Sequence, residues 1–191
     1  ALKKRYPAIP ILGVIEPTVK KVVSDGCKKV GVIATKATIG SDVYGKELRA
    51  MSPGIQVFNA ACPAIVPLIE EGLTDTEIMR LTVSHYMDDF VKEGGFDDLI
   101  LGCTHYPLLR STIRKLVGDG ISLVNPAYET ARELKVLLER EHLGAVEPPG
   151  PDAPTPYRFF VSDEAQRFAE FANSILPIDV TTARLVPIEE Y

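Results

Sequence analysis

The residues that offer reactive chemistry are concentrated in the stretch DLILGCTHYPLL, residues 98–109. An apolar run leads to Gly102, and Cys103 and His105 follow. Continuous apolar runs are typical of strands in parallel sheets, so Cys103 is expected at the carboxyl end of a strand, where open α/β sheets bind their ligands. Pro107 indicates that a helix starts close by, and the partial positive charge of a helix N-terminus favours a thiolate over a thiol.

The neighbours of Cys103 suit proton transfer and anion binding. His105 is close enough in sequence to act as a proton donor or charge partner of the thiol. Thr104 offers a hydroxyl group and a backbone N–H suited to a carboxylate ligand. A lone cysteine after an apolar strand is more often an inert core residue. A buried position would not favour Thr and His as neighbours, so this combination favours a functional site.

A second polar pair follows another apolar run. Thr35 and Thr38 come directly after the predicted strand Lys29–Ala34. Hydroxyl groups at the carboxyl end of a strand suit the binding of a substrate carboxylate or ammonium group. Capping of the following helix explains the same residues equally well, so both interpretations stand.

Composition restricts the class of protein. The chain has 191 residues, 46% hydrophobic and 25% charged, with a net charge of −5. It can bury a core of one or two α/β units, and its mild acidity predicts no nucleic-acid partner. The three cysteines form no CxxC pair, which argues against a disulfide framework or a structural zinc site and for a reducing compartment.

Several other classes of site or location are not indicated. The apolar stretch Ile9–Ile15 is too short for a membrane span and lacks the features of a signal peptide. No set of His, Cys, Asp and Glu residues has metal-ligand spacing, and no phosphate-binding glycine motif occurs. We therefore expect a soluble, cytoplasmic protein without a metal or a membrane partner.

Short apolar runs alternate with amphipathic runs along most of the chain, which predicts an α/β fold with a parallel sheet. The motif Thr74-x-x-Glu77 predicts the start of a helix as a capping box, and residues 144–156, rich in Pro and Gly, predict an exposed loop. The predicted strands are Ile11–Ile15, Lys29–Ala34, Ile55–Asn59, Asp98–Leu101, Ile121–Val124, Tyr157–Val161 and Val180–Leu185.

The motif LGCTHYP resembles the second cysteine motif of the glutamate racemases, cofactor-independent enzymes of the aspartate/glutamate racemase superfamily. Other segments resemble the same family in the expected order, so the resemblance covers nearly the whole chain. The histidine of the motif favours glutamate racemases over their aspartate-specific relatives. The further segments are LGVIEP at 12–17, VGVIATKATIGSDVY at 30–44, CPAIVPLIEEG at 62–72 and FFVSDEAQRF at 159–168.

The resemblance implies a reaction and roles for individual residues. Two cysteines would invert the α-carbon of glutamate by proton transfer, and Cys103 would be the one that works on L-glutamate. His105 and Glu70 are implied as its helpers, with Glu71 as the alternative to Glu70. The product D-glutamate would serve peptidoglycan synthesis, no cofactor is implied, and a homodimer is expected. The implied substrate-binding residues are Thr104, His105, Thr35 and Thr38.

The resemblance also implies a domain organisation. The family has two similar doubly wound parallel-sheet domains that face each other across a cleft. Residues 1–13 would be a remnant of the first domain, 14–124 the second domain, and 125–191 a segment that returns to complete the first. Neither the Asp-Ser-Gly motif nor the Ala-Cys-Asn-Thr motif of the family occurs here. We expect these residues to be part of a longer protein rather than a natural half-length relative.

Two alternatives remain open. A superfamily relative that uses one cysteine, such as an arylmalonate decarboxylase or another amino-acid racemase, would fit the single candidate thiol, although His105 counts against a decarboxylase. A catalytically silent relative could instead bind glutamate or serve as a regulatory protein. Fold alone does not separate these classes, because function resides in the site.

Overall fold

A computed structural model describes residues 2–144, 157–178, 180 and 183–190. The chain divides into two compact units, Ala1–Gly144 and Ala145–Tyr191. The loop predicted over residues 144–156 lies outside the described residues except for Gly144.

The first unit is built on a parallel sheet, which confirms the predicted α/β class. The order of its strands is β2-β1-β3-β4, so the two strands that precede the candidate site residues, β1 and β3, are neighbours at its centre. Their side chains are almost all buried, as expected for strands covered on both faces. The strands are β1 Lys29–Ala34, β2 Gln56–Ala61, β3 Asp98–Leu101 and β4 Ser122–Val124.

Helices connect these strands and cover both faces of the sheet, the doubly wound arrangement. The second and fourth helices share one core with β1, in which Val19, Val30 and Leu48 are buried. The sixth helix contacts β1 and β2 and buries Met79 and Val83. The helices are α1 Leu2–Arg5, α2 Ile15–Ser24, α3 Lys36–Ser41, α4 Val43–Met51, α5 Ile65–Glu70, α6 Glu77–Gly94, a 3₁₀ turn Tyr106–Leu109, α7 Arg110–Val117 and α8 Pro126–Arg140.

Two local predictions are wrong. The stretch Ile11–Ile15 forms no strand, because its last residue already begins α2. Thr76, not Thr74, caps α6: it adopts an extended backbone and its hydroxyl oxygen accepts a hydrogen bond from the Met79 N–H at 3.3 Å. Glu77 is therefore the first helical residue and does not fill the third position that a capping box requires.

The second unit contains a strand, a helix and a further strand within its described residues. These are β5 Phe159–Val161, α9 Ala165–Ile175 and β6 Ala183–Leu185, and the two strands pair in parallel. The ring centroids of Phe159 and Phe168 are 5.9 Å apart, which packs α9 against β5. The strand predicted over residues 180–185 is observed from Ala183, while residues 181 and 182 lie outside the described part.

Two neighbouring aspartates before and at the start of β3 have opposite environments. The exposed Asp97 accepts hydrogen bonds from the backbone N–H groups of Lys29 at 2.8 Å and Lys28 at 2.7 Å, and these bonds lower the pKa of its carboxyl group. Asp98 is 3% exposed and its Oδ2 has no hydrogen-bond partner among the described residues. Burial first, and then the nearby Asp25 carboxylate, raise the pKa of Asp98.

We expect Asp97→Asn and Asp98→Asn to shift the melting temperature with opposite pH trends. A raised folded-state pKa means that ionisation of Asp98 destabilises the fold as the pH rises above about 4. The melting temperature of Asp98→Asn, relative to that of the native protein, should therefore rise between about pH 3.5 and pH 7. A lowered folded-state pKa contributes its full stability only above the pKa of the unfolded chain. The melting temperature of Asp97→Asn, relative to that of the native protein, should therefore fall over the same pH interval.

The measurement is a series of thermal melts in which each variant is compared with the native protein at every pH. In a protein of this size about 1 kcal/mol corresponds to roughly 2–4 °C. Equal trends for the two variants would contradict the assigned environments.

Candidate active site

The carboxyl end of β3 lies against the end of β1 with no room for a side chain between them. The Gly102 N–H donates to the Ile33 carbonyl oxygen at 2.8 Å and so extends the ladder beyond β3. A Cβ atom on Gly102 would lie 3.1 Å from both the Ile33 oxygen and the Ala34 Cβ, and 3.2 Å from Tyr44 Cε2. This close approach directs the chain outward at Cys103, which is partly exposed.

Cys103, Thr104 and His105 form a tight turn at this edge. The backbone N–H of Tyr106 donates to the Cys103 carbonyl oxygen at 3.2 Å and closes the turn. Within it, His105 Nδ1 lies 3.9 Å from Cys103 Sγ and 3.3 Å from Thr104 Oγ1. The imidazole is thus placed to exchange a proton with the thiol or to stabilise the thiolate as a cation.

A helical segment starts close to Pro107, as predicted, but it begins three residues after Cys103 and as a 3₁₀ turn. Residues Tyr106–Leu109 form a 3₁₀ turn, and the α-helix begins only at Arg110. The influence of a helix dipole falls off within its first turn. The immediate charge partner that the structure offers Cys103 is therefore His105 rather than a helix N-terminus.

Glu70 is the carboxylate next to this histidine. It is the last residue of α5, and its Oε1 lies 3.4 Å from His105 Nε2, with side chains 41% and 22% exposed. Glu71 follows as the residue that ends the helix. A carboxylate beside Nε2 favours a proton on that nitrogen, which leaves Nδ1 to face Cys103. The structure therefore brings Glu70, His105 and Cys103 into one row.

Thr35 and Thr38 lie at the carboxyl end of β1, at the same edge of the sheet. Thr35 caps α3: its Oγ1 accepts a hydrogen bond from the Thr38 N–H at 3.3 Å, and the two hydroxyl oxygens are 3.1 Å apart. The capping interpretation of Thr35 is thus confirmed. A hydroxyl has one donor and two acceptor sites, so both residues keep capacity for a ligand.

The other two cysteines are buried. Cys27 is 6% exposed and Cys62 is 0% exposed, whereas Cys103 is partly exposed. Burial raises the pKa of Cys27 to about 12 and that of Cys62 to about 12. Neither thiol can act as a base near neutral pH, so both are structural residues.

The sequence did not single out two tyrosines that border the site. Tyr106 is fully buried and its hydroxyl group donates to the Cys62 carbonyl oxygen at 2.8 Å. The Tyr44 ring packs at Gly102, and burial together with nearby Cys103 raises the pKa of its phenol to about 12. The burial of Tyr106 was detectable, because Tyr106, Leu109 and Ile113 follow the spacing of one apolar helical face.

Neither a metal centre nor a membrane-spanning helix is found in the described ranges. No group of three or more His, Cys, Asp and Glu side chains there could hold a metal ion. No helix within the same residues is long and apolar enough to cross a membrane.

Residues 1–134 match the model of the family described as Asp/Glu/Hydantoin racemase. The chain belongs to this family. It is 39% identical over 170 residues to the glutamate racemase of Geobacter metallireducens, covering 88% of this chain and 61% of that relative. It is also 42% identical over 147 residues to the glutamate racemase of Aquifex aeolicus, covering 76% of this chain and 56% of that relative. The chain thus spans about three fifths of the length of these curated racemases.

Solved structures of racemases share the fold. A glutamate racemase of Francisella tularensis in complex with D-glutamate matches with a TM-score of 0.86 and 30% identity, covering 100% of this chain and 68% of that one. A glutamate racemase isoform of Bacillus anthracis matches with a TM-score of 0.83 and 33% identity, covering 98% and 69%. These similarities agree with the parallel-sheet α/β class that the sequence predicts.

We expect iodoacetamide to modify Cys103 in the folded protein and to leave Cys27 and Cys62 unmodified at about pH 8. A thiol whose pKa is about 12 has only about one molecule in 10,000 ionised at that pH. Timed labelling followed by peptide mass spectrometry measures each site separately.

Two controls accompany this measurement. Cys103→Ser should remove the labelling of the folded protein, and the urea-unfolded chain should react at all three positions. Rapid labelling of Cys62 in the folded protein would show that the burial described above is wrong.

Proposed function

We propose that this protein is a glutamate racemase that interconverts L- and D-glutamate without a cofactor, with Cys103 as the base for L-glutamate. The observation that carries the proposal is the row of Glu70, His105 and Cys103, with contacts of 3.4 Å and 3.9 Å, at the carboxyl edge of the sheet. Its membership of the racemase family supports the same chemistry, since the relatives described above are named glutamate racemases.

The proposed step is a proton transfer at the α-carbon. The Cys103 thiolate takes the α-proton of L-glutamate, and the electron pair of the broken C–H bond stays on the α-carbon and spreads into the carboxylate. An acid on the opposite face then returns a proton to the same carbon, which inverts its configuration. His105 stabilises the thiolate before the transfer, and Glu70 orients the imidazole.

The proposed substrate contacts come from threonines at the same edge. The exposed Thr104 offers its hydroxyl and backbone N–H to a substrate carboxylate. Thr35 and Thr38, at the end of the neighbouring strand, offer hydroxyl groups to the carboxylate or ammonium group. His105 faces the same space, so it is included among the proposed substrate-binding residues.

The second base of this mechanism would come from outside the 191 residues. Cys27 and Cys62 are buried and their pKa values are raised to about 12, so neither can supply it. The first two racemases described above are longer than this chain, which covers 61% and 56% of them. A donor from a further segment is therefore compatible with the family.

We propose the corresponding domain organisation, with residues 14–124 as one domain and 1–13 and 125–191 as parts of another. The parallel pair β5 and β6 supports it. Phe160 and Leu185 on these strands are each 54% exposed, and an isolated pair of strands is marginally stable in water. Parallel sheets are normally covered on both faces, so this pair suits a larger sheet.

The proposed setting follows from the activity. The proposed small-molecule substrate is glutamate. The protein would act in the cytoplasm as a homodimer and supply D-glutamate to peptidoglycan synthesis. The acidic net charge of −5 gives no reason to expect a nucleic-acid partner.

We expect the purified full-length protein to abolish the optical activity of L-glutamate without pyridoxal phosphate, as followed by circular dichroism. Cys103→Ala should lower the rate by about 100-fold or more, because a positioned acid or base contributes about 10²–10⁴-fold. Cys27→Ala serves as the control, since that thiol is buried and donates to the Lys29 carbonyl oxygen at the start of β1, the end of the strand opposite the site. Full activity in Cys103→Ala would refute the proposed role.

The alternatives give different outcomes in the same experiment. Release of carbon dioxide from a disubstituted malonate, without racemisation of glutamate, would identify a single-cysteine decarboxylase. Glutamate binding by calorimetry, without exchange of the α-proton in deuterated water, would identify a silent binding protein. Either result would replace the racemase proposal.

We expect Glu70→Gln to lower kcat for L-glutamate about tenfold or more, and Glu71→Gln to leave it nearly unchanged. The two residues are adjacent and chemically identical, but Glu70 is the one whose carboxylate is described next to His105. Loss of this partly exposed charged contact is expected to cost on the order of 1.5 kcal/mol, which corresponds to about tenfold. Equal losses in the two variants would show a general effect of charge at the end of α5.

A further inference from the structure

Tyr106 connects the cysteine turn to Cys62, the residue that follows β2 at the same edge of the sheet. Its side chain is fully buried, and its hydroxyl group donates to the Cys62 carbonyl oxygen at 2.8 Å. Its backbone N–H donates to the Cys103 carbonyl oxygen at 3.2 Å. One residue therefore closes the turn that presents Cys103 and His105 and also anchors that turn to another part of the sheet edge.

The carbonyl group that receives this hydroxyl stands at the start of α5. The backbone N–H of Ile65, the first residue of α5, donates to the same Cys62 oxygen at 3.3 Å. The Cys62 N–H donates to the Ala34 carbonyl oxygen at 2.9 Å, which ties this point to the end of β1. From here α5 runs six residues to Glu70, so the position of Glu70 depends on where its helix is anchored.

These contacts form a closed circuit. From His105 the circuit passes to the adjacent residue Tyr106, whose hydroxyl group donates to the Cys62 carbonyl oxygen. From there it follows α5 to Glu70, whose Oε1 lies 3.4 Å from His105 Nε2. We propose that Tyr106 is a positioning residue, whose hydroxyl group, acting through the Cys62 carbonyl, holds Glu70 against His105 and thereby sets the ionic surroundings of Cys103. This deepens the proposed function, but the circuit of contacts exists whether or not glutamate is the substrate.

The titratable groups around the turn come from several elements. Tyr44 of α4 lies at Gly102, close enough to Cys103 for that thiol to act on its phenol electrostatically. Cys62, Cys103 and Tyr86 of α6 act in the same way on Tyr106. Burial raises the pKa of Tyr106 far above its usual range, so its hydroxyl keeps its proton and remains a donor at any pH of interest. Glu70 and His105 are the pair that the hydroxyl aligns.

The simpler interpretation is that Tyr106 only fills the core. A core residue would lower the melting temperature when it is changed, but it would leave the pH dependence of Cys103 reactivity untouched. A residue that holds Glu70 against His105 would change that pH dependence, because a loosened carboxylate stabilises the imidazolium less and the imidazolium stabilises the thiolate less.

The experiment measures the alkylation rate of Cys103 by iodoacetamide as a function of pH in the full protein. We expect Tyr106→Phe to slow alkylation at pH 7 about threefold and to move the profile to higher pH, since loss of one buried hydrogen bond typically changes an equilibrium by about two- to tenfold. Tyr128→Phe is the matched control: the same change on an exposed residue of α8 should leave the profile unchanged.

A double variant identifies the route. If Tyr106 acts through Glu70, then Tyr106→Phe should have almost no further effect on the profile in a Glu70→Gln background, because residues that act as one unit are not additive. Additive shifts would overturn the inference. A site-specific 4-aminophenylalanine at position 106, which restores a donor in the same place, should return the native profile and also serves if Tyr106→Phe folds poorly.

Alkylation requires no substrate, so its result is separate from that of the racemase assay. A shifted, non-additive profile in a protein that does not racemise glutamate would support the role of Tyr106 and refute the proposed function. An unchanged profile in Tyr106→Phe, or no rescue by 4-aminophenylalanine, would overturn the role of Tyr106 even in an active racemase. When both proposals hold, Tyr106→Phe should lower kcat for glutamate several-fold and leave KM nearly unchanged.

Discussion

The parallel pairing of β1 with β3 at the centre of the sheet determines where every candidate site residue lies. The register ends both strands at one edge, so the segments that carry Thr35 and Cys103 leave the sheet side by side. β2 pairs with the other side of β1 and ends at the same edge, from which α5 leads to Glu70. Side chains far apart in sequence meet because one set of backbone hydrogen bonds aligns three strand ends.

The strands at the centre were predictable for a physical reason. β1 and β3 are buried on both faces and therefore read as continuous apolar runs, and both were predicted with the observed bounds. The run Ile11–Ile15 is apolar like those of β1 and β3, but it leads into α2, whose buried face continues with Val19 and Val22. A short apolar run does not distinguish a strand from the approach to a buried helix, and only the residues that follow decide.

The site was predictable only where its members are neighbours in sequence. Cys103 and His105 lie two residues apart, so their proximity followed from the chain itself. Glu70 reaches His105 through the fold, and only the family resemblance distinguished it from Glu71 in advance. The role inferred for Tyr106 depends on a backbone carbonyl, that of Cys62, which no side-chain pattern reveals. Contacts to backbone atoms carry no signature in residue types, although a buried phenol always requires some acceptor.

One accessible thiol defines what this edge of the sheet contributes to a reaction. Cys103 and His105 can remove or deliver a proton on one face of a substrate carbon, and burial withholds Cys27 and Cys62 from the opposite face. Inversion requires a donor on that opposite face, whereas protonation of an enediolate by a single thiol requires none. The configuration of the product therefore shows whether a proton donor acts on the face opposite Cys103. Enzymatic racemisation at the α-carbon indicates a donor across from Cys103, and a single enantiomer indicates that the proton arrives from one face only.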